Sequence, residues 1–179
     1  MTRPQIPISP YKRGADQGFM FGLYLCAMFL SWVFAATYPA LAFATFILAA
    51  CVPLYTFRAL RSTVVAEYGT TPVVSLWVQG ITMMACGALI CAALILVWFK
   101  WIDPQFIASQ LQSLVDVYNE TNDPSLADTA RIASLLLEKN AIPPPSTWML
   151  AFWLFTVFTG SLLSCLMAVL ARAMRIKKA

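Results

Sequence analysis

Apolar residues gather into four long runs separated by short polar stretches, with one much longer polar stretch before the last run. The first run extends from about Gln17 to Ala36 and the second from about Leu41 to Phe57, joined by Thr37, Tyr38 and Pro39. A link that short predicts an antiparallel helical hairpin. Pro39 suits the first turn of the second helix, where a missing N–H costs nothing. Arg58, Arg61 and Glu67 mark a return to water, and Gly69 to Pro72 reads as a turn. The third run, residues 73–99, is long enough to overrun a hydrocarbon core of about 30 Å at about 1.5 Å per residue. Trp98 and Trp101 at its end suit the headgroup region. The fourth, within residues 147–171, begins with Trp148 and Trp153 as interfacial anchors and is followed by a basic tail carrying Arg172, Arg175, Lys177 and Lys178.

The polar stretch, residues 102–146, has a different periodicity. Asp103-Pro104 and Asp123-Pro124 each resemble a helix cap followed by a first-turn proline. After the first, Phe106, Ile107, Leu111, Leu114, Val115 and Tyr118 recur at helical spacing and define one apolar face. After the second, Leu126, Ile132, Ala133, Leu136 and Leu137 give a weaker stripe up to about Lys139. Pro143, Pro144 and Pro145 then predict an extended return. The pattern as a whole predicts an all-α polytopic membrane protein, four transmembrane helices with a periplasmic helical insert between the third and fourth.

Composition agrees with that reading. Of 179 residues, 60% are hydrophobic and 11% charged, too little charge for a soluble surface of this size. The net charge of +4 does not point to nucleic acid, because the basic residues flank the apolar runs. Placing both termini in the cytoplasm puts Arg3, Lys12, Arg13, Arg58, Arg61 and the basic tail inside. It leaves Lys100, Arg131 and Lys139 outside with six acidic residues. Such an arrangement in a bacterial inner membrane satisfies the positive-inside rule at every short loop. The first run is longer than a signal-peptide core and is followed at once by a second, so a retained helix is expected after a cytoplasmic tail of residues 1–16.

Candidate chemistry is sparse. Cys26, Cys51, Cys86, Cys91 and Cys165 lie inside apolar runs without metal-ligand or redox spacing, and the chain has no histidine. Ser31, Ser75, Ser161 and Ser164 therefore lack the usual activating base, which argues against an enzyme and leaves no implied cofactor or metal. Asp103, Asp123 and Asp128 have the chemistry of a hard-cation site, although capping explains the first two more simply. No charged residue sits in the middle of a predicted span, as a coupled transporter would be expected to have. The neutral polar candidates for an intramembrane site are Gln79, Thr82 and Thr159, with Thr45, Thr156 and Ser161 in the same class. Gln79 reads first as a group that makes an interhelical hydrogen bond or lies at the membrane interface, and second as the lining of a small polar site. Small residues at Gly14, Gly18 and Gly22, at Gly80 and Gly87, and at Gly160 and Ser164 predict close helix packing or a face for a partner protein.

The layout resembles the DUF4199 family, uncharacterised four-span membrane proteins of Bacteroidota. The resemblance rests on the Gly14, Gly18, Gly22 opening, the stretch from Tyr55 to Arg61, the corner Trp101-Ile102-Asp103-Pro104-Gln105-Phe106, the two-helix insert, the prolines at 143–145 and the basic close. Members often carry many Lys and Glu in the insert, whereas Ser, Gln, Leu and Ala are common here between Ser109 and Leu137. The resemblance implies topology and bacterial origin but no activity. The leading expectation is a non-catalytic accessory or structural subunit of an inner-membrane assembly. It would contact lipid and another integral membrane protein, or further copies of itself. The alternative is a small transporter or channel component acting as an oligomer.

Overall fold

In the computed structural model, residues 9–67, 70–121, 125–139 and 141–174 are described, and among them the regular structure is entirely helical. The order is α1 (Pro10–Phe34), α2 (Ala40–Ala66), α3 (Val73–Val97), a π-helical turn (Trp98–Ile102), α4 (Phe106–Thr121), α5 (Ala127–Glu138) and α6 (Pro145–Ala173). Four helices are long and apolar enough to cross a bilayer: α1, α2, α3 with its π-helical turn, and α6. The chain is a multi-pass membrane protein. It divides into two compact units, one of residues 1–92 with 151–179 and one of residues 93–150.

In the first unit, α3 is the central helix. Its buried residues, Leu76, Gln79, Met83, Met84, Ala88, Cys91 and Ala92, occupy more than one face, because α1 packs on one side and α6 on another. The α1 contact uses glycines one turn apart. A Cβ on Gly14 would stand 2.6 Å from the Gln79 carbonyl oxygen, on Gly18 2.8 Å from Cys86 Cβ, and on Gly22 2.8 Å from the Ile90 side chain. The α6 contact uses the same device: a Cβ on Gly80 would meet Ser164 at 2.6 Å, and one on Gly160 would meet Met84 at 2.7 Å. Lipid supplies little drive for helix association, so close van der Waals approach through small residues has to supply it. The indoles of Trp77 and Trp153 add hydrogen bonds to the Ser161 and Ala85 carbonyls, at 3.1 and 3.2 Å. Trp153, expected as an interfacial anchor, thus serves the α3–α6 contact.

Helix α2 pairs with α1 through rings, with Tyr55 5.4 Å from Phe21 and 5.7 Å from Tyr24 between centroids. At the other end of α2, Leu60 and Val64 pack with Leu76, Ala168 and Ala171. The Arg61 guanidinium donates to the Ala171 and Met174 carbonyls at the end of α6. Those carbonyls have no intrahelical donor, so a cation there satisfies both their hydrogen bonds and the negative helix end.

The second unit holds the last turn of α3, the π-helical turn, the α4–α5 pair and the first turn of α6. The π-helical turn closes with Asp103 N–H donating to the Trp98 carbonyl at 2.9 Å. Trp101 projects outward with Lys100 over its ring, while Phe99 and Phe106 are buried and stacked. Of the α4 stripe, Phe106 is fully buried and Ile107, Leu111, Leu114, Val115 and Tyr118 are half-buried. On α5 the buried residues are Ala130 and Ala133, and Ile132 faces out.

Several boundaries differ from the hydropathy reading. Helix α1 starts at Pro10, not Gln17, because a proline at the first position fits a helix start and Arg13 finds a partner in Glu67, just past the end of α2. Helix α2 continues past Phe57 to Ala66, about two and a half turns, carrying Arg58 and Arg61. Pro39 takes the capping position before α2, and Pro145 opens α6, so only Pro143 and Pro144 of the proline run stay outside helix. Asp103-Pro104 does not form the cap and first turn of α4: a turn intervenes and α4 begins at Phe106, whose N–H donates to the Asp103 carbonyl at 3.3 Å. Asp123-Pro124, Gly69, Arg3, Arg175, Lys177 and Lys178 lie outside the described residues.

Candidate functional site

The polar residues of the first unit collect where α1, α2 and α3 meet. Gln79, 1% exposed on α3, donates from Nε2 to Gln17 Oε1 at 2.8 Å and to Thr63 Oγ1 at 2.9 Å. Gln17 Nε2 in turn reaches the Ala59 carbonyl at 3.5 Å. One turn nearer the helix ends, Arg13 is ion-paired with Glu67, which also accepts from the Thr71 hydroxyl. The Thr71 hydrogen bond, and then Arg13, hold the Glu67 carboxyl below its ordinary range. These contacts join three helices around the point at which Gly14 lets α1 touch the Gln79 backbone. The arrangement can hold helices together, because its polar side chains bond to one another across α1, α2 and α3.

The polar residues expected to form one intramembrane site are distributed differently. Gln79 and Thr82 both face the Gly14 turn of α1, and the Thr82 hydroxyl donates to Val78 O of its own helix at 2.9 Å. Thr159 is exposed on α6 and donates to Phe155 O at 2.7 Å. It shares a wall with Thr156 in a different place, an open groove of about 500 Å³ reached from α1, α2, α3 and α6. Ser164 is fully buried against Gly80, and its hydroxyl has no hydrogen-bond partner among the described residues. Gly14, Gly18, Gly22, Gly80, Gly87 and Gly160 all face neighbouring helices of the same chain, so these faces are already filled. Trp98 is half-buried, Trp101 exposed, and Trp148 donates to the Pro143 carbonyl at 3.2 Å.

The sequence reading missed the partners of Gln79 and the Arg13–Glu67–Thr71 group. Gln17 lies three residues after Gly14, so helical spacing puts it beside the glycine stripe; that was the available signal.

Comparison with known families decides the classification. A family described as protein of unknown function (DUF4199) matches residues 17–173. The chain belongs to DUF4199. The match runs from Gln17, within α1, through α2, α3 and the α4–α5 pair to the end of α6 in this DUF4199 chain. No curated protein and no solved structure matches it.

Two expectations arise at the polar seam. Gln79→Leu removes both hydrogen bonds and leaves Gln17 and Thr63 without their shared partner. Interhelical bonds of this kind contribute about 0.6 kcal/mol on average and up to about 1.7 kcal/mol. A measurable fall in the denaturant midpoint in detergent is therefore expected, and an unchanged midpoint would contradict the buried network. Glu67 has a depressed carboxyl, so its stabilising effect is complete above its ordinary value of 4.5 and is lost as pH falls through the lower folded value. A thermal midpoint that drops below about pH 4.5 in the wild type, with a smaller drop in Glu67→Gln, is the expected result. The difference is at most about 1 kcal/mol for a partly solvated pair.

Proposed function

We propose that this DUF4199 chain is a non-catalytic accessory or structural subunit of a bacterial inner-membrane assembly. Both termini are cytoplasmic in this reading and the α4–α5 pair is periplasmic, as the distribution of basic residues suggests. The observation that carries the proposal is the outward face of α2. Only 6% of its most apolar window is buried, the least of the four spans, and Phe43, Phe46, Ile47 and Leu54 project from it at 60–76% exposure. The glycine faces are consumed within the chain, so docking to another integral membrane protein falls to α2 and to the α4–α5 pair.

The Gln79 network weighs against a transport path. Its amide is engaged by two side chains of the same bundle, so it is not held ready for a solute. Gentle extraction of the native protein, followed by size analysis and identification of what co-migrates, tests the proposal. A defined complex with one stoichiometric partner, lost in Phe46→Ser without a change in the chain's own melting temperature, is expected. A monomer or a pure homo-oligomer would refute it. In a background without native cysteines, a cysteine at Ser109 should react with an impermeant maleimide on intact cells and one at Ser62 should not; the reverse pattern would invert the topology.

A further inference from the structure

Helices α2 and α6 meet at the end where their charged residues begin. Residues 40–57 of α2 carry no charge, and at about 1.5 Å each they extend about 27 Å, close to a hydrocarbon core of about 30 Å. Arg58 therefore stands where α2 reaches the phosphate layer. Residues 145–171 of α6 are likewise uncharged, and Arg172 follows them. The Arg61 guanidinium joins the two ends by donating to the Ala171 carbonyl at 2.7 Å. Ala171 directly precedes Arg172, and Arg61 lies about one turn after Arg58.

The charge at this corner is one-sided. Neither α2 nor α6 contains an acidic residue. Glu67, just past α2, is taken by Arg13 and the Thr71 hydroxyl. Arg58 and Arg172 are both exposed, and neither side chain has an ion-pair or hydrogen-bond partner among the described residues. Arg61 is held against α6, so the corner is an ordered part of the bundle. In the two turns before Arg172, Leu166, Val169 and Leu170 are exposed as well, which sets an apolar surface next to the cationic one.

We propose that this corner binds the headgroup of an anionic phospholipid. The occupant has to bring negative charge to the level at which both apolar runs end, and it has to carry apolar chains that cover Leu166 and Val169. An anionic phospholipid does both, because its phosphodiester accepts hydrogen bonds from guanidinium groups while its acyl chains remain in the hydrocarbon. A soluble anion has nothing to lay against the leucines. A zwitterionic phospholipid offers the same phosphate but offsets its charge with an ammonium group. This inference goes beyond the accessory-subunit reading and does not rest on it, because it concerns the ends of α2 and α6 and not the face from Phe43 to Leu54.

The test uses the full chain in a neutral maltoside detergent, with phosphatidylglycerol and phosphatidylcholine of identical acyl chains as probes and native mass spectrometry to count the lipids bound. Phosphatidylglycerol is expected to bind at least tenfold more tightly. An arginine near an anionic surface contributes a factor of about five, so Arg58→Gln or Arg172→Gln should each lower the preference by about that factor and the double variant should abolish most of it. Both positions are exposed, so the lipid-free melting temperature should stay at the wild-type value. Arg58→Lys combined with Arg172→Lys keeps both charges and should retain most of the preference. Lys100→Gln, an equal loss of charge elsewhere in the chain, should leave it unchanged. Equal binding of the two lipids, a preference that survives the double glutamine variant, or the same loss in Lys100→Gln would each overturn the proposal.

Discussion

Replacing Gly18 with leucine should separate α1 from α3 and leave little folded protein. Even the first added carbon meets Cys86 Cβ at 2.8 Å and the Met83 carbonyl oxygen at 3.0 Å. The oxygen belongs to the backbone of the central helix, so relief requires a shift of whole helices. Overpacking costs about 1–3 kcal/mol where side chains can adjust, and a leucine here falls at or above the top of that range. Gly18→Ala should be milder, and combining it with Cys86→Gly should recover part of the loss, since one of its two contacts disappears. Yield after detergent extraction and the thermal midpoint provide the readout. A Gly18→Leu protein as stable as wild type would show that α1 does not pack on α3 through this stripe.

The opposite perturbation should be comparably severe. Phe21 is fully buried, 5.4 Å from the Tyr55 ring, and its ring fills the space above Gly87, where an added Cβ would approach it to 2.6 Å. Phe21→Ala empties the junction of α1, α2 and α3. Truncating a buried phenylalanine typically costs about 3–5 kcal/mol. Phe21→Leu should retain more than half of the lost stability because it refills most of the volume. Equal stability of the alanine and leucine variants would contradict the packing described here.

Much of the fold was legible because lipid imposes a simple requirement: every span must satisfy its own backbone, and a long apolar run has few alternatives to a helix. Hydropathy could not see where helices end. Helix α2 extends to Ala66 through Arg58 and Arg61, although both are charged, because Arg61 finds carbonyls at the end of α6. That partner is more than a hundred residues away in sequence. The same limitation applies to the polar seam. Gln79 stood out as an amide in an apolar run, while Gln17 and Thr63 become its partners only once α1 and α2 are placed against α3. Spacing indicated that the glycines belong to packed faces, but it could not say that the covering helices come from the same chain.

The central position of α3 also orders assembly in time. While α1 and α2 are already in the bilayer, the glycine stripe of α1 has no α3 to pack on until Gln79 and Gly87 emerge from the ribosome. Helix α6 arrives later still, after residues 98–144 have been synthesised, a delay of seconds at ordinary elongation rates of about 5–20 residues per second. Throughout that interval the Gly80 face of α3 is uncovered, so a newborn chain passes through a three-helix stage during which chaperoning or quality control can act on it.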